Sequence, residues 1–151
     1  MKWIVLIIVL VSLVGIYALN AVWAPLEVDY LEWITFFQMS LLSLGAISFL
    51  AFLFYRSFYY RSVRLNRPSD VFKLRRPWVT CMWFALLLQG VVGSLVGFAV
   101  ISERTLLAFV HIVSFALIQG IVSSLLYWVL SAFLALPKRV KYVPFLTVRR
   151  M

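Results

Sequence analysis

The sequence predicts an all-α membrane protein, a bundle of four transmembrane helices arranged as two antiparallel hairpins. Three observations support this. The chain is 65% hydrophobic and 13% charged, whereas soluble domains are about 45–50% apolar and about 25% charged. Its apolar residues form four stretches, each long enough to cross roughly 30 Å of hydrocarbon. Nearly all basic residues lie on one side of those stretches. We therefore expect a single integral membrane domain over residues 1–151.

The four predicted spans are defined by predominantly apolar sequence that contains no Asp, Glu, Lys or Arg. They cover approximately residues 3–23, 33–55, 77–101 and 105–136. The first resembles a signal peptide, but its apolar stretch exceeds the roughly 7–15 residues of an ordinary signal core. We therefore expect it to be a retained anchor. The fourth is longer than a span requires, so it must tilt or project into the interface.

Residues at the span boundaries agree with these limits. Pro25 is expected to end the first helix, and Pro77 suits the first turn of the third, where a missing N–H has no consequence. Ser102 is expected to cap the fourth helix and Pro137 to end it. Aromatic rings that favour the headgroup zone also mark the boundaries, at Trp3, Trp23, Trp33, Tyr55, Tyr59, Tyr60 and Trp78.

The distribution of charge predicts the orientation. Thirteen of the fourteen Lys and Arg residues lie before the first span, in the loop 56–76 or in the tail 137–151. Basic flanks remain in the cytoplasm, so we expect both termini on that side of the cell membrane. The opposite side is expected to carry Arg104 and the acidic residues Glu27, Asp29, Glu32 and Glu103.

Small residues mark the packing faces of the third and fourth spans. Lipid supplies no hydrophobic force between helices, so close approach at small residues favours their association. We interpret these positions as packing surfaces rather than hinges. They are Gly90, Gly93, Gly97, Ala116, Gly120 and Ser124.

The tight turn at Glu103–Arg104 predicts an antiparallel hairpin of the third and fourth spans. Pairing about this turn places Gln89 level with Gln119, where the two amides can share a hydrogen bond. It also places His111 near Gly97. We expect His111 to be neutral, buried and hydrogen-bonded to a neighbouring helix.

No residue pattern indicates catalysis or a bound cofactor. His111 is the only histidine and Cys81 the only cysteine, whereas metal sites need several such ligands. Cys81 is expected to be a small apolar residue with an inert thiol. Phosphate-binding loops, His-Glu-x-x-His helices and Cys-x-x-Cys pairs are missing from the sequence. We expect no catalytic, cofactor or metal residues and consider an enzyme unsupported.

The cytoplasmic loop interleaves aromatic and basic residues. Its first half is expected to continue the second helix, and Asp70 to cap a short turn. The basic residues are expected to keep this loop on the cytoplasmic side of the membrane. They can also contact anionic lipid, each contributing about 1 kcal/mol near such a surface. An acidic partner is less favoured, and nucleic acid is not expected. These residues are Arg56, Arg61, Arg64, Arg67, Lys73, Arg75 and Arg76.

Three functions fit the sequence. The leading hypothesis is a non-catalytic accessory or scaffold subunit of a larger membrane assembly, or a self-associating bundle, with other membrane subunits or a second copy as partner. A small oligomeric channel or carrier is the alternative, with Gln38, Ser40, Ser43 and Gln89 lining its path. A lipid-handling protein that uses the basic loop is the third.

Overall fold

The computed structural model describes residues 28–60, 73–102 and 105–133, with the backbone alone for 58–60 and 133. Five helical residues of the first predicted span are also described, and they are Ile7, Val11, Val14, Gly15 and Ala18. The rest of that span, most of the basic loop and the whole tail 137–151 lie outside the described residues. The place of the first span in the bundle and the position of both termini therefore remain predictions.

Three helices form the described part of the chain. Helix α1 comprises Tyr30–Phe54 and continues as a π-helix over Tyr55–Tyr60. Helix α2 comprises Arg75–Val100, and helix α3 comprises Leu106–Phe133. All three are long and apolar enough to cross a membrane. They correspond to the second, third and fourth predicted spans, and the π-helix continues α1 into the loop as expected.

Short polar side chains begin two of these helices. The Asp29 carboxylate caps α1 by accepting a hydrogen bond from the Leu31 N–H at 3.2 Å. The Ala108 N–H donates to Thr105 Oγ1 at 3.1 Å, so Thr105 caps α3. The prediction that Ser102 caps this helix is wrong. Ser102 lies a full turn before the helix begins, directly after the extended backbone of Ile101.

Helix α2 runs antiparallel to both α1 and α3. Glu32 in the first turn of α1 contacts Ser102, which follows the end of α2. Trp78 near the start of α2 contacts Ser131 near the end of α3. The described charged residues consequently lie at opposite ends of the three helices. The acidic end contains Asp29 and Glu32, and the basic end contains Arg56, Lys73, Arg75 and Arg76.

Aromatic rings pack the acidic end of the helices. Trp33, Phe36 and Phe115 are buried, with ring centroids 5.1–5.5 Å apart in tilted or edge arrangements. Such geometry suits the quadrupole of the rings. This cluster joins α1 to α3 at the end where the two helices begin.

A second aromatic cluster packs the basic end. The ring centroids of Trp78 and Tyr127 are 5.3 Å apart, and those of Tyr55 and Tyr127 are 6.4 Å apart. Buried Cys81 packs in the same cluster. The two clusters hold the helix ends together, and a smaller cluster of Leu44 and Val122 lies between them.

Glycines bring α2 and α3 into close contact. A Cβ on Gly93 would lie 3.2 Å from the Cβ of Ala116, and one on Gly120 would lie 2.6 Å from the backbone oxygen of Leu86. At Gly97 a Cβ would meet the side chains of Ile112 and Phe36. A side chain at Gly120 would meet backbone that cannot move aside, whereas one at Gly93 or Gly97 would require neighbouring side chains to shift.

Two of the predicted packing residues are not close-contact positions. Within the described part of the chain, no atom lies within 4 Å of where a Cβ on Gly90 would stand. Ser124 is half-buried, and its hydroxyl donates to the Ile121 carbonyl of its own helix at 2.7 Å. The contact surface therefore follows Gly93 and Gly97 along α2 and is rotated away from Gly90.

Gly120→Ala should destabilise the protein because its new methyl group would press on the backbone of α2. Overpacking of this kind typically costs about 1–3 kcal/mol. Reversible unfolding in detergent, followed by circular dichroism, would measure the loss. Gly90→Ala is the matched control and should be neutral or up to about 1 kcal/mol more stable, since alanine favours helix. Equal stability of the two variants would contradict this packing.

Candidate functional site

A polar layer lies between the two aromatic clusters, near the middle of the helices. It consists of Ser40 and Ser43 on α1, Gln89 on α2 and Gln119 on α3, and is called here the central polar layer. Ser40, Gln89 and Gln119 are at most 1% exposed, and Ser43 is half-buried. Ser40, Gln89 and Gln119 belong to the buried stripes of their helices, and Ser43 borders the stripe of α1, so folding brings the four together.

Gln89 connects all three helices. Its Nε2 lies 3.0 Å from Gln119 Oε1 on α3 and 3.1 Å from Ser43 Oγ on α1. The same nitrogen is 3.4 Å from the Ser40 carbonyl oxygen. The hydrogen bond between the two glutamines is the one predicted from the hairpin register. The hydrogen bonds to α1 were not predicted, although the channel hypothesis had grouped Ser40 and Ser43 with Gln89.

Two polar atoms of the central polar layer have no hydrogen-bond partner among the described residues. They are Ser40 Oγ and Gln119 Nε2, both fully buried. The oxygen of the Gln119 amide lies against Gly93, where a Cβ would approach it to 3.2 Å. The glycine therefore makes room for the amide, and the layer keeps one hydroxyl and one amide nitrogen without a partner.

Smaller serine contacts continue toward the basic end. The hydroxyls of Ser48 on α1 and Ser123 on α3 lie 2.9 Å apart, and Ser48 also donates to the Leu44 carbonyl at 2.7 Å. Near the end of α3, the Trp78 indole N–H donates to Ser131 Oγ at 3.1 Å. These short side chains satisfy each other while allowing the helices to approach closely.

His111 occupies a different environment from the one predicted. Its ring is half-buried, and Nδ1 lies 2.8 Å from the Leu107 carbonyl oxygen of its own helix rather than a neighbouring one. Ile112, not His111, faces Gly97. A step of one residue rotates a side chain by about 100° around a helix, which moves His111 off the contact surface.

The described residues offer no cluster for a metal ion. No group of three His, Cys, Asp or Glu side chains with suitable positions occurs in 28–60, 73–102 or 105–133. The Glu32 carboxylate is bound instead by Ser102, accepting from its N–H at 3.0 Å and its hydroxyl at 2.7 Å. This pair of hydrogen bonds fastens the start of α1 to the end of α2.

The basic end presents its charges outward. Lys73, Arg75 and Arg76 are exposed at the start of α2, and Arg56 is half-buried in the π-helix. The other predicted lipid-contact residues, Arg61, Arg64 and Arg67, lie outside the described residues.

The four residues predicted to line a channel do not lie together in the structure. Ser40, Ser43 and Gln89 meet inside the helices, but Gln38 is exposed on the outer face of α1. Gln38 lies two residues before Ser40, which turns it to the far side of the helix. These four residues therefore do not form one continuous path.

The geometry supports hydrogen bonding between helices as the chemical role of the central polar layer. Its amides and hydroxyls bond chiefly to one another, and no ionisable group takes part. Comparison with known protein families, curated proteins and solved structures finds no match for this chain.

Gln89→Leu should weaken the helix contacts modestly, because it removes the amide that joins α1 and α3 to α2. Side-chain hydrogen bonds in membrane interiors average about 0.6 kcal/mol, with a maximum near 1.7. Gln119→Leu should cost less because it also removes an unpartnered buried nitrogen. Unfolding of both single variants and the double variant in detergent would give their coupling. A complete loss of folded protein in Gln89→Leu would contradict this modest role.

Proposed function

We propose that the chain is a non-catalytic component of a larger assembly in the cell membrane, acting as an accessory or scaffold subunit or as a self-associating bundle. The main observation in support is that the central polar layer joins the helices to each other. Gln89 on α2 is hydrogen-bonded both to α1 and to α3. A polar interior occupied by its own contacts suits a packing role.

The placement of ionisable groups supports this proposal. Helix α1 carries only Glu32, α2 only Arg75 and Arg76, and α3 no Asp, Glu, Lys or Arg at all. These three groups lie within the first turns of their helices. Proton- and ion-coupled transporters place such groups at depth, where they bind and release the coupling ion. The described helices carry no Asp, Glu, Lys or Arg at such depth, and the imidazole of His111 lies 2.8 Å from the Leu107 carbonyl oxygen of its own helix.

The separation of charge supports a cytoplasmic basic end. Arg56, Arg75 and Arg76 lie at one end of the helices, and the acidic pair Asp29 and Glu32 lies at the other. In the proposed topology the first span completes a four-helix bundle, and both termini share the cytoplasmic side with the basic loop. An even number of spans places every basic flank on that side.

The outer surface of α2 is suited to lipid or to a partner subunit. Less of this helix is covered than of α1 or α3. Its exposed face carries large apolar side chains, which are Trp83, Phe84, Leu87, Val91 and Leu95.

An assembled state larger than a monomer is the expected result for the purified protein. Blue-native electrophoresis after extraction from its own membrane in mild detergent would reveal it, with mass spectrometry identifying every protein that co-migrates. A strictly monomeric species with no co-purifying protein would refute the proposed function. A harsh detergent that dissolves the complex serves as the control for size.

Anionic lipid is the second expected partner, at the basic end. The paired replacement Arg75→Gln and Arg76→Gln should weaken retention of phosphatidylglycerol, since each basic residue near the surface contributes about 1 kcal/mol. Native mass spectrometry would count the lipids retained. The paired replacement Arg149→Gln and Arg150→Gln changes the net charge equally and is the matched control. Equal retention by both variants would exclude a specific role for the start of α2.

A further inference from the structure

The described residues of the first predicted span lie on one exposed face of a helix. They are Ile7, Val11, Val14, Gly15 and Ala18. Val14, near the middle of this face, is 69% exposed. At about 100° per residue, the opposite face of the same helix passes through Val9, Ile16 and Asn20. That opposite face is therefore the one with which the first span can pack against the rest of the chain, and it contains an amide.

The connection between the first span and α1 is short, and its last residues are held by the fold. It comprises residues 24–29, between the predicted end of the span and the start of α1 at Tyr30. Val28 is buried in the aromatic cluster of the acidic end, and Asp29 caps α1. Helices joined by so short a connection are antiparallel neighbours. Pairing about the middle of the connection places Asn20 level with Trp33.

Trp33 has the hydrogen-bonding chemistry that an asparagine oxygen requires. Its side chain is 3% exposed and packs with Phe36 and Phe115. The indole N–H can only donate, whereas the side-chain oxygen of asparagine accepts. Buried indole N–H groups usually bond to an acceptor, and polar side chains of membrane helices bond across helix contacts. The two groups are thus complementary at the same depth.

We infer that the first span packs antiparallel against α1 on the side of Trp33 and Phe37, with the Asn20 side-chain oxygen accepting a hydrogen bond from the Trp33 indole N–H. The same pairing places Ile16, one turn from Asn20, level with Phe37, one turn from Trp33. Phe37 is half-buried, so it retains surface for a neighbouring helix.

The short connection favours the chain's own first span as the occupant of this surface. Six residues reach at most roughly 20 Å, even when fully extended. A segment tethered so closely binds at a high effective concentration, which a second copy does not have. The inference is independent of the proposed function, because it concerns contacts within one chain.

Cysteine cross-linking of the full chain in its native membrane tests the position of the first span. Cys81 is the only cysteine, so Cys81→Ala provides a thiol-free background. Ile16→Cys combined with Phe37→Cys should form a disulfide within one chain, because bridged Cα atoms stand about 4.4–6.8 Å apart. Val14→Cys combined with Phe37→Cys is the matched control. Val14 lies at nearly the same depth on the exposed face, so this pair should keep both thiols free for labelling with maleimide–polyethylene glycol.

The cross-linking has three results that would overturn the inference. The first is a disulfide in the Val14 pair at the same yield as in the Ile16 pair. The second is no disulfide in the Ile16 pair. The third is a disulfide between two chains, which doubles the mass on a denaturing gel and would assign this surface to a second copy. A monomeric protein that forms the expected disulfide would refute the proposed function and support this inference.

The hydrogen bond is tested separately by a double-mutant cycle. Asn20→Leu should lower the equilibrium constant for folding about 3- to 20-fold, the range given by measured hydrogen bonds in membrane interiors. In the background of Trp33→Phe, which keeps an aromatic ring but lacks the N–H, Asn20→Leu should have no further effect. Reversible unfolding in detergent of the single and double variants would measure this. Additive effects of the two replacements would overturn the hydrogen bond.

Discussion

Hydrocarbon cannot replace the hydrogen bonds that water gives to polar groups, and the arrangement of these helices follows from that constraint. Each helix satisfies its own backbone, but side-chain amides and hydroxyls need partners on other helices. Apolar contact alone provides little driving force, because lipid tails are as apolar as leucine. Association must therefore come from close packing and from hydrogen bonds in the interior. The central polar layer and the glycines beside it provide both.

Packing and hydrogen bonding depend on each other at the middle of the structure. Gly93 lacks the side chain that would press on the Gln119 oxygen. With that space open, Gln119 reaches Gln89, and Gln89 in turn reaches Ser43 on α1. A glycine on α2 thus affects a contact between α2 and α1 that it does not itself make. The aromatic clusters at either end hold the register in which these groups meet.

Sequence reasoning predicted the features that depend on the length of the apolar stretches and on the pairing of the hairpin. It failed where the outcome depends on which face of a helix a residue occupies, or on residues distant in the chain. The spans 33–55, 77–101 and 105–136 match α1, α2 and α3 within a few residues, because apolar length is a local property. The bond between Gln89 and Gln119 followed from antiparallel pairing. His111 was assigned to the contact surface between α2 and α3, but Ile112, the next residue, occupies that position. Ser102 was assigned to a cap because it lies just before the fourth span, whereas its hydrogen-bond partner, Glu32, lies 70 positions earlier in the chain. Nothing local indicates such a pair.

The outward position of Gln38 follows from the same geometry that buries Ser40. Two residues apart on α1, their side chains point about 200° apart, so burying one exposes the other. The layer inside the helices therefore leaves an amide outside them, at similar depth, on a face no described residue covers. Inside, the Gln89 amide bonds to a second amide, that of Gln119, and to the Ser43 hydroxyl. The physical demand for hydrogen-bond partners is the same in both places.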